Sequence, residues 1–128
     1  MNKETLTVET SENGTIRYLN ADGYLHNPNQ PAVVHPNGNT SYYINGQLHN
    51  SHGPAVIRAD VSKEYYINGK LHNENGPAVV FPDGRKKYYI KGYRLSEAEF
   101  KTWQAEQSAP LHNKTATIDG IEYTLTAK

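Results

Sequence analysis

Tyr65-Tyr66-Ile67-Asn68-Gly69-Lys70-Leu71-His72-Asn73-Glu74-Asn75-Gly76-Pro77-Ala78-Val79-Val80 is the stretch that decides the fold, because most of it recurs at a fixed interval. A step of 23 residues carries Tyr65-Tyr66-Ile67-Asn68-Gly69 back onto Tyr42-Tyr43-Ile44-Asn45-Gly46 and forward onto Tyr88-Tyr89-Ile90-Lys91-Gly92. The same step relates Leu25-His26-Asn27, Leu48-His49-Asn50 and Leu71-His72-Asn73, and it relates Pro31-Ala32-Val33-Val34, Pro54-Ala55-Val56-Ile57 and Pro77-Ala78-Val79-Val80. The register never slips across these copies, so the chain is a tandem array of one supersecondary unit. Such arrays build extended binding surfaces more readily than enclosed reaction pockets.

Within a copy, Pro77 to Phe81 alternates small and apolar residues, Pro82-Asp83-Gly84 carries turn chemistry, and Arg85 to Ile90 is rich in strand formers. Pro82 presets φ, Asp83 tolerates the bridge conformation and Gly84 accepts positive φ, which together predict a type I turn followed by a bulge. Asn45-Gly46 and Asn68-Gly69 predict two-residue turns into the Leu-His-Asn phrase. One copy departs: Asp60-Val61 stands where the others have Asn37-Gly38 and Asp83-Gly84, and a β-branched residue is disfavoured at positive φ, so this turn is expected to differ in shape. Thr5 to Thr10, Glu12-Asn13-Gly14 and Thr15 to Asn20 look like a degenerate first hairpin that caps the array.

After Leu95 the pattern changes. Ser96-Glu97-Ala98-Glu99 has the form of a capping box, and the helix formers that follow run to about Ser108, with Pro110 as a stop. Leu95, Phe100 and Trp103 are the residues expected to pack this helix over the end of the sheet. Thr115 to Ile118, Asp119-Gly120 and Ile121 to Ala127 read as a closing hairpin around a type I′ turn, which either pairs with the array or covers the helix. The expected fold is therefore mainly β: an elongated antiparallel sheet of tandem 23-residue hairpin repeats over residues 1–95, a capping helix over 96–109 and a hairpin over 110–128, in a single structural domain.

Side chains alternate across a strand, so each copy divides into two sets. Ala78, Val80, Tyr88 and Ile90, with Ala32, Val34, Tyr42, Ile44 and Ala55, Ile57, Tyr65, Ile67, are uniformly small or apolar and are expected to pack inside the array. The other set is Val33, His35, Tyr43, then Val56, Arg58, Tyr66, then Val79, Phe81, Tyr89. One of its positions changes from His to Arg to Phe, a variation most easily accommodated at a surface. It is expected to form an exposed aromatic strip that contacts a partner, since Tyr joins apolar area to a hydrogen-bonding tip. The competing reading is that these tyrosines merely pack against neighbouring hairpins.

Thirteen basic and thirteen acidic residues give zero formal charge, which removes the usual footprint of a nucleic-acid or anionic-membrane binder. The densest local charge is Arg85, Lys86, Lys87, Lys91 and Arg94, near Tyr88, Tyr89 and Tyr93. That patch would suit an acidic protein surface, a phosphate-bearing ligand or nucleic acid, or it is a strand edge protected by lysine. No apolar run approaches the roughly 20 residues that span a bilayer, and residues 1–25 lack the pattern of a leader. With no cysteine, the expectation is a cytoplasmic protein without disulfides or thiolate metal sites.

His26, His49 and His72, echoed by Leu111-His112-Asn113, suggest metal ligands at first sight. Equivalent histidines separated by two strands of about 4.8 Å lie about 10 Å apart, too far to share an ion that each must approach within about 2.1 Å. The expected role is an imidazole bonded to backbone in the loop before each Gly-Pro, with no metal and no cofactor. No nucleophile elbow, Walker loop, CxxC pair or HExxH motif is present, and no catalytic residue is assigned.

The segment Tyr65 to Val80 resembles the MORN-like repeats of bacterial, bacteriophage and giant-virus proteins, a resemblance that covers about residues 18–95. It implies stacked antiparallel hairpins that serve as scaffolds or interaction modules, some bacterial relatives being antitoxin-like. The Leu-His-Asn and Gly-Pro-Ala phrases depart from the usual pattern. By this analogy the chain is a non-enzymatic interaction module, a phage-encoded inhibitor of a host defence enzyme or an adaptor in the host cytoplasm. The alternatives are a nucleic-acid or phospholigand binder using Arg85 to Arg94, and a virion component that self-associates through sheet edges.

Overall fold

The computed structural model describes residues 4–108, 114–118 and 121–125. Its strands are β1 (Thr7–Thr10), β2 (Ile16–Leu19), β3 (Val33–Val34), β4 (Thr40–Ser41), β5 (Tyr43–Ile44), β6 (Gln47–Leu48), β7 (Val56–Ile57) and β8 (Lys63–Glu64). They continue with β9 (Tyr66–Ile67), β10 (Lys70–Leu71), β11 (Val79–Val80), β12 (Lys86–Ile90) and β13 (Tyr93–Leu95), then helix α1 (Glu97–Ser108), β14 (Lys114–Ile118) and β15 (Ile121–Leu125). Nine strands form an antiparallel sheet in the order β1-β2-β3-β4-β7-β8-β11-β12-β13, and β5-β6, β9-β10 and β14-β15 are separate two-stranded ribbons. Two copies thus each add two strands to the main sheet and one short ribbon beside it, and in the last copy the corresponding ribbon, β12-β13, is continuous with the main sheet.

The turns follow from local chemistry. Phe81 N–H donates to Arg85 O at 2.9 Å and Gly84 N–H donates to Phe81 O at 3.0 Å, with Gly84 at φ 91°. These are the bonds of a type I turn closed by a left-handed bulge residue. The Asp83 carboxylate accepts the Arg85 amide at 2.9 Å, and Asn13, Asn37 and Asp60 accept the amides of Thr15, Asn39 and Ser62 in the same way. Bonds to amides pull Asp83 below the ordinary carboxylate range, and Asp60 is lowered chiefly by the Ser62 hydroxyl. Contrary to expectation, the Asp60-Val61 turn has the same form: Arg58 N–H reaches Ser62 O at 3.0 Å, Val61 N–H reaches Arg58 O at 2.9 Å, and Val61 takes φ 67°. Ladder bonds on both sides and the Asp60 acceptor impose the geometry on a residue that disfavours it.

The ribbons turn through Asn45-Gly46, Asn68-Gly69 and Lys91-Gly92, whose six residues all have positive φ. Their amides are satisfied by the preceding copy. Asn45, Asn68 and Lys91 N–H donate to Nδ1 of His26, His49 and His72 at 3.0, 3.0 and 2.8 Å. Gly46, Gly69 and Gly92 N–H donate to the carbonyls of Leu25, Leu48 and Leu71, each at 2.8 Å. The histidines therefore bond backbone, as expected, but in the ribbon turn of the next copy instead of the loop before Gly-Pro. In the first copy His26 is buried and its Nε2 meets Glu4 at 2.9 Å.

Ala32, Ala55 and Ala78 have no exposed surface, so at these points the backbone of adjacent copies leaves room only for a methyl group. At the far end, Ser96 Oγ accepts the Glu99 amide at 3.1 Å and Glu99 Oε1 accepts the Ser96 amide at 2.8 Å, completing the capping box. The Ser96 bonds lower the Glu99 carboxyl. Phe100 is buried, with its ring 4.8 Å from Tyr88 and 6.0 Å from Trp103, which seats α1 on β12 and β13. Gln104 Nε2 also donates to Glu74 O at 2.9 Å, tying the helix to the third copy's loop. β14 and β15 pair as the expected hairpin, Ile118 opposite Ile121. Pro110, the echoed Leu111-His112-Asn113 and the Asp119-Gly120 turn lie outside the described residues.

Candidate interaction surface

The main sheet has two unlike faces. The register sets Val33 beside Arg17 and Ser41, Val56 beside Ser41 and Glu64, and Val79 beside Glu64 and Lys87. Val33, Val56 and Val79 retain only 7, 8 and 7% exposure, so the expected strip is not open at its valines. Small β-branched side chains set between tyrosines and long polar neighbours are shielded by the taller groups. Tyr43, Tyr66 and Tyr89 are half-buried, as are His35 and Phe81, while Arg58 is exposed.

Several of these residues are committed within the chain. His35 Nδ1 bonds the buried Thr15 hydroxyl at 3.0 Å. Arg58 pairs with Glu64, and the Tyr66 hydroxyl donates to the same carboxylate at 2.9 Å. Burial, then the bond to Glu64, pushes the Tyr66 phenol up to about 12. The middle of the strip is therefore an internally satisfied trio of Arg58, Glu64 and Tyr66.

The end of the strip is different. The Arg85 guanidinium lies 4.7 Å and the Lys87 ammonium 5.5 Å from the centre of the Phe81 ring. Arg85 Nε also donates to Asp83 at 2.7 Å, which fixes the guanidinium over the ring. Lys87 and Tyr89 share a face of β12, and Arg94 stands opposite Tyr89 on β13, so Phe81, Arg85, Lys87, Tyr89 and Arg94 gather on one side. Lys86 alternates to the other side with Tyr88, and Lys91 sits in the last ribbon turn. Lys86, Lys87 and Arg94 nonetheless line one depression together with Tyr88, so three of the five cations found in the sequence meet beside β12 and β13.

The opposite face carries a feature that the division into packed and exposed sets missed. Two open grooves follow each other by one copy. One, about 600 Å³, is lined by Tyr42, Ile44, Ile57, His49 and the Asn50-to-Pro54 loop. The next, about 730 Å³, is lined by Tyr65, Ile67, Val80, His72 and the Asn73-to-Pro77 loop. Their walls are rigid because Asn27, Asn50 and Asn73 each donate a side-chain amide to the Pro31, Pro54 or Pro77 carbonyl, at 3.3, 3.0 and 3.0 Å. The recurrence of Asn four residues before Pro in every copy was the available signal. Half of the set assigned to the interior therefore forms groove floors.

Among the described residues, no group of three His, Asp or Glu side chains stands close enough to hold a metal ion, and no helix is long and apolar enough to cross a membrane. The surface offers recurrent hydrogen-bond donors, rings and one ordered cationic cluster, an arrangement suited to holding a second molecule. No protein-family model, curated protein or solved structure matches this chain.

Proposed function

We propose that the chain is a non-enzymatic protein-interaction module of the MORN-like kind, an elongated array of tandem hairpins that docks its cationic, aromatic end on an acidic face of another protein. The observation that supports this reading is the Phe81 ring with the Arg85 and Lys87 cations over it, beside Tyr89 and Arg94. Arg and aromatic residues supply most binding energy at protein interfaces, and a cluster ordered before contact loses less entropy on docking. The buried valines and the Arg58–Glu64–Tyr66 trio support a narrower contact than the whole strip, centred on the last copy. In the phage setting that the resemblance suggests, the partner is a host enzyme that the module blocks in the cytoplasm.

The test compares immobilised wild type with the Arg85→Glu/Lys87→Glu double variant, after both are shown to melt alike. A single acidic protein retained by wild type and released by the variant supports the reading. Equal retention by both, or none by either, overturns it. The nucleic-acid alternative draws on the same cations, three of which, Lys86, Lys87 and Arg94, line one depression beside Tyr88. Tight binding of a labelled single-stranded oligonucleotide that collapses between low and moderate salt would replace the protein reading with that one.

A further inference from the structure

The three equivalent imidazoles are not equivalently partnered. In all three, Nδ1 accepts a backbone amide of the next copy, so the ring proton sits on Nε2 and that nitrogen is a donor. Nε2 of His26 meets the Glu4 carboxylate at 2.9 Å, and Nε2 of His72 meets the Glu74 carboxylate at 3.1 Å. The two carboxylates reach their rings by unrelated routes, one from the N-terminal segment and one from the residue two positions on. The position equivalent to Glu74 in the middle copy is Ser51, which carries no carboxylate. Among the described residues no side chain takes the Nε2 proton of His49.

His49 lines the smaller groove, together with Ser51 and His52, and no acidic residue lines it. The neighbouring groove has the same floor and the same loop but contains Glu74 beside His72. The chain therefore shows twice what chemistry completes this imidazole and leaves the middle site without it. We infer that the His49 groove is a binding site for an acidic side chain, Asp or Glu, presented by another protein. The fixed donor is Nε2 of His49, the Ser51 hydroxyl and the His52 ring supply further polar contacts, and Tyr42, Ile44 and Ile57 form an apolar floor for the methylene stem. This site lies across the sheet from the Phe81 cluster and does not depend on it.

The test uses the full chain and a capped hexapeptide of glutamate as probe, with the glutamine hexapeptide and acetate as controls, read from the histidine ring signals by NMR. In wild type the glutamate peptide should shift His49 saturably while His26 and His72 stay still. Ser51→Glu fills the groove from within and should weaken this response at least about tenfold, the loss of one charge-assisted bond. Glu74→Ser empties the neighbouring groove and should add a second responding ring, His72. Equal response to the glutamine peptide, a response that survives Ser51→Glu, or a silent His49 overturns the proposal. A saturable response to acetate as strong as to the peptide overturns the protein side chain as occupant. None of these outcomes bears on capture through the Phe81 cluster.

Discussion

Val61→Gly should stabilise the protein. Val61 holds φ 67° in a turn whose counterparts place Gly14, Gly38 and Gly84 at φ 90°, 98° and 91°. The left-handed region costs an L-residue about 1–2 kcal/mol, and β-branching puts valine toward the upper end. Val61 is 66% exposed, so removing its side chain forfeits little burial. Glycine returns about 0.5–1 kcal/mol of freedom to the unfolded chain. The difference is a gain of about 1 kcal/mol, or about 3–5 °C in Tm for a chain of this size. Urea titration followed by tyrosine fluorescence should show a higher midpoint at unchanged slope. The reciprocal change, Gly84→Val, should cost about as much. A Cβ at Gly84 meets no atom within 4 Å, so the effect there is one of φ alone. An unchanged or lowered midpoint for Val61→Gly would refute the assignment of strain to this turn.

Tyr66 should resist ionisation. Its folded value of about 12 lies above the ordinary 10.0, so its contribution to stability is whole below pH 10 and is lost as pH rises toward 12. Ultraviolet titration should show a late phase from Tyr66 that Tyr66→Phe removes, and Glu64→Gln should bring it earlier; an unchanged late phase would separate Tyr66 from Glu64. Phe100→Ala should cost about 3–4 kcal/mol in denaturant unfolding, because it removes a buried ring lying between Tyr88 and Trp103. A loss under about 1 kcal/mol would show that α1 is not anchored there. His26→Ala leaves the Asn45 amide without its acceptor and should cost about 2 kcal/mol. Hydrogen exchange checks it, with the Asn45 amide speeding up ahead of amides in β1.

Much of this architecture was legible because it is local. Asp83-Gly84 and Asn68-Gly69 choose their turns through their own φ preferences, and the Asp83 side chain adds a bond to the amide two residues on. Ser96 and Glu99 mark the helix start by the same short-range logic. Val61 was misread because its conformation is imposed from outside, by ladders on both flanks, against what the residue itself favours. The faces were harder still. Alternation correctly sorted Val33 from Val34, but which face stays open depends on what stands beside each residue across the sheet. Arg17 beside Val33 and Glu64 beside Val79 come from the preceding hairpin, whose register no single copy reveals. The grooves beside His49 and His72 exist only between successive copies, so no inspection of one copy contains them.

The imidazole-to-turn bond gives the array a polarity. Each hairpin tip is held by the ring of the copy before it and cannot be completed from the copy after it, so information about position runs one way, from the N-terminal end onward. A whole additional 23-mer placed after Leu48 would arrive with its own ring for the next tip and would find one waiting for itself. The sequence grammar is that of an extensible tape whose length is set by α1, the element that occupies the place where another copy would continue.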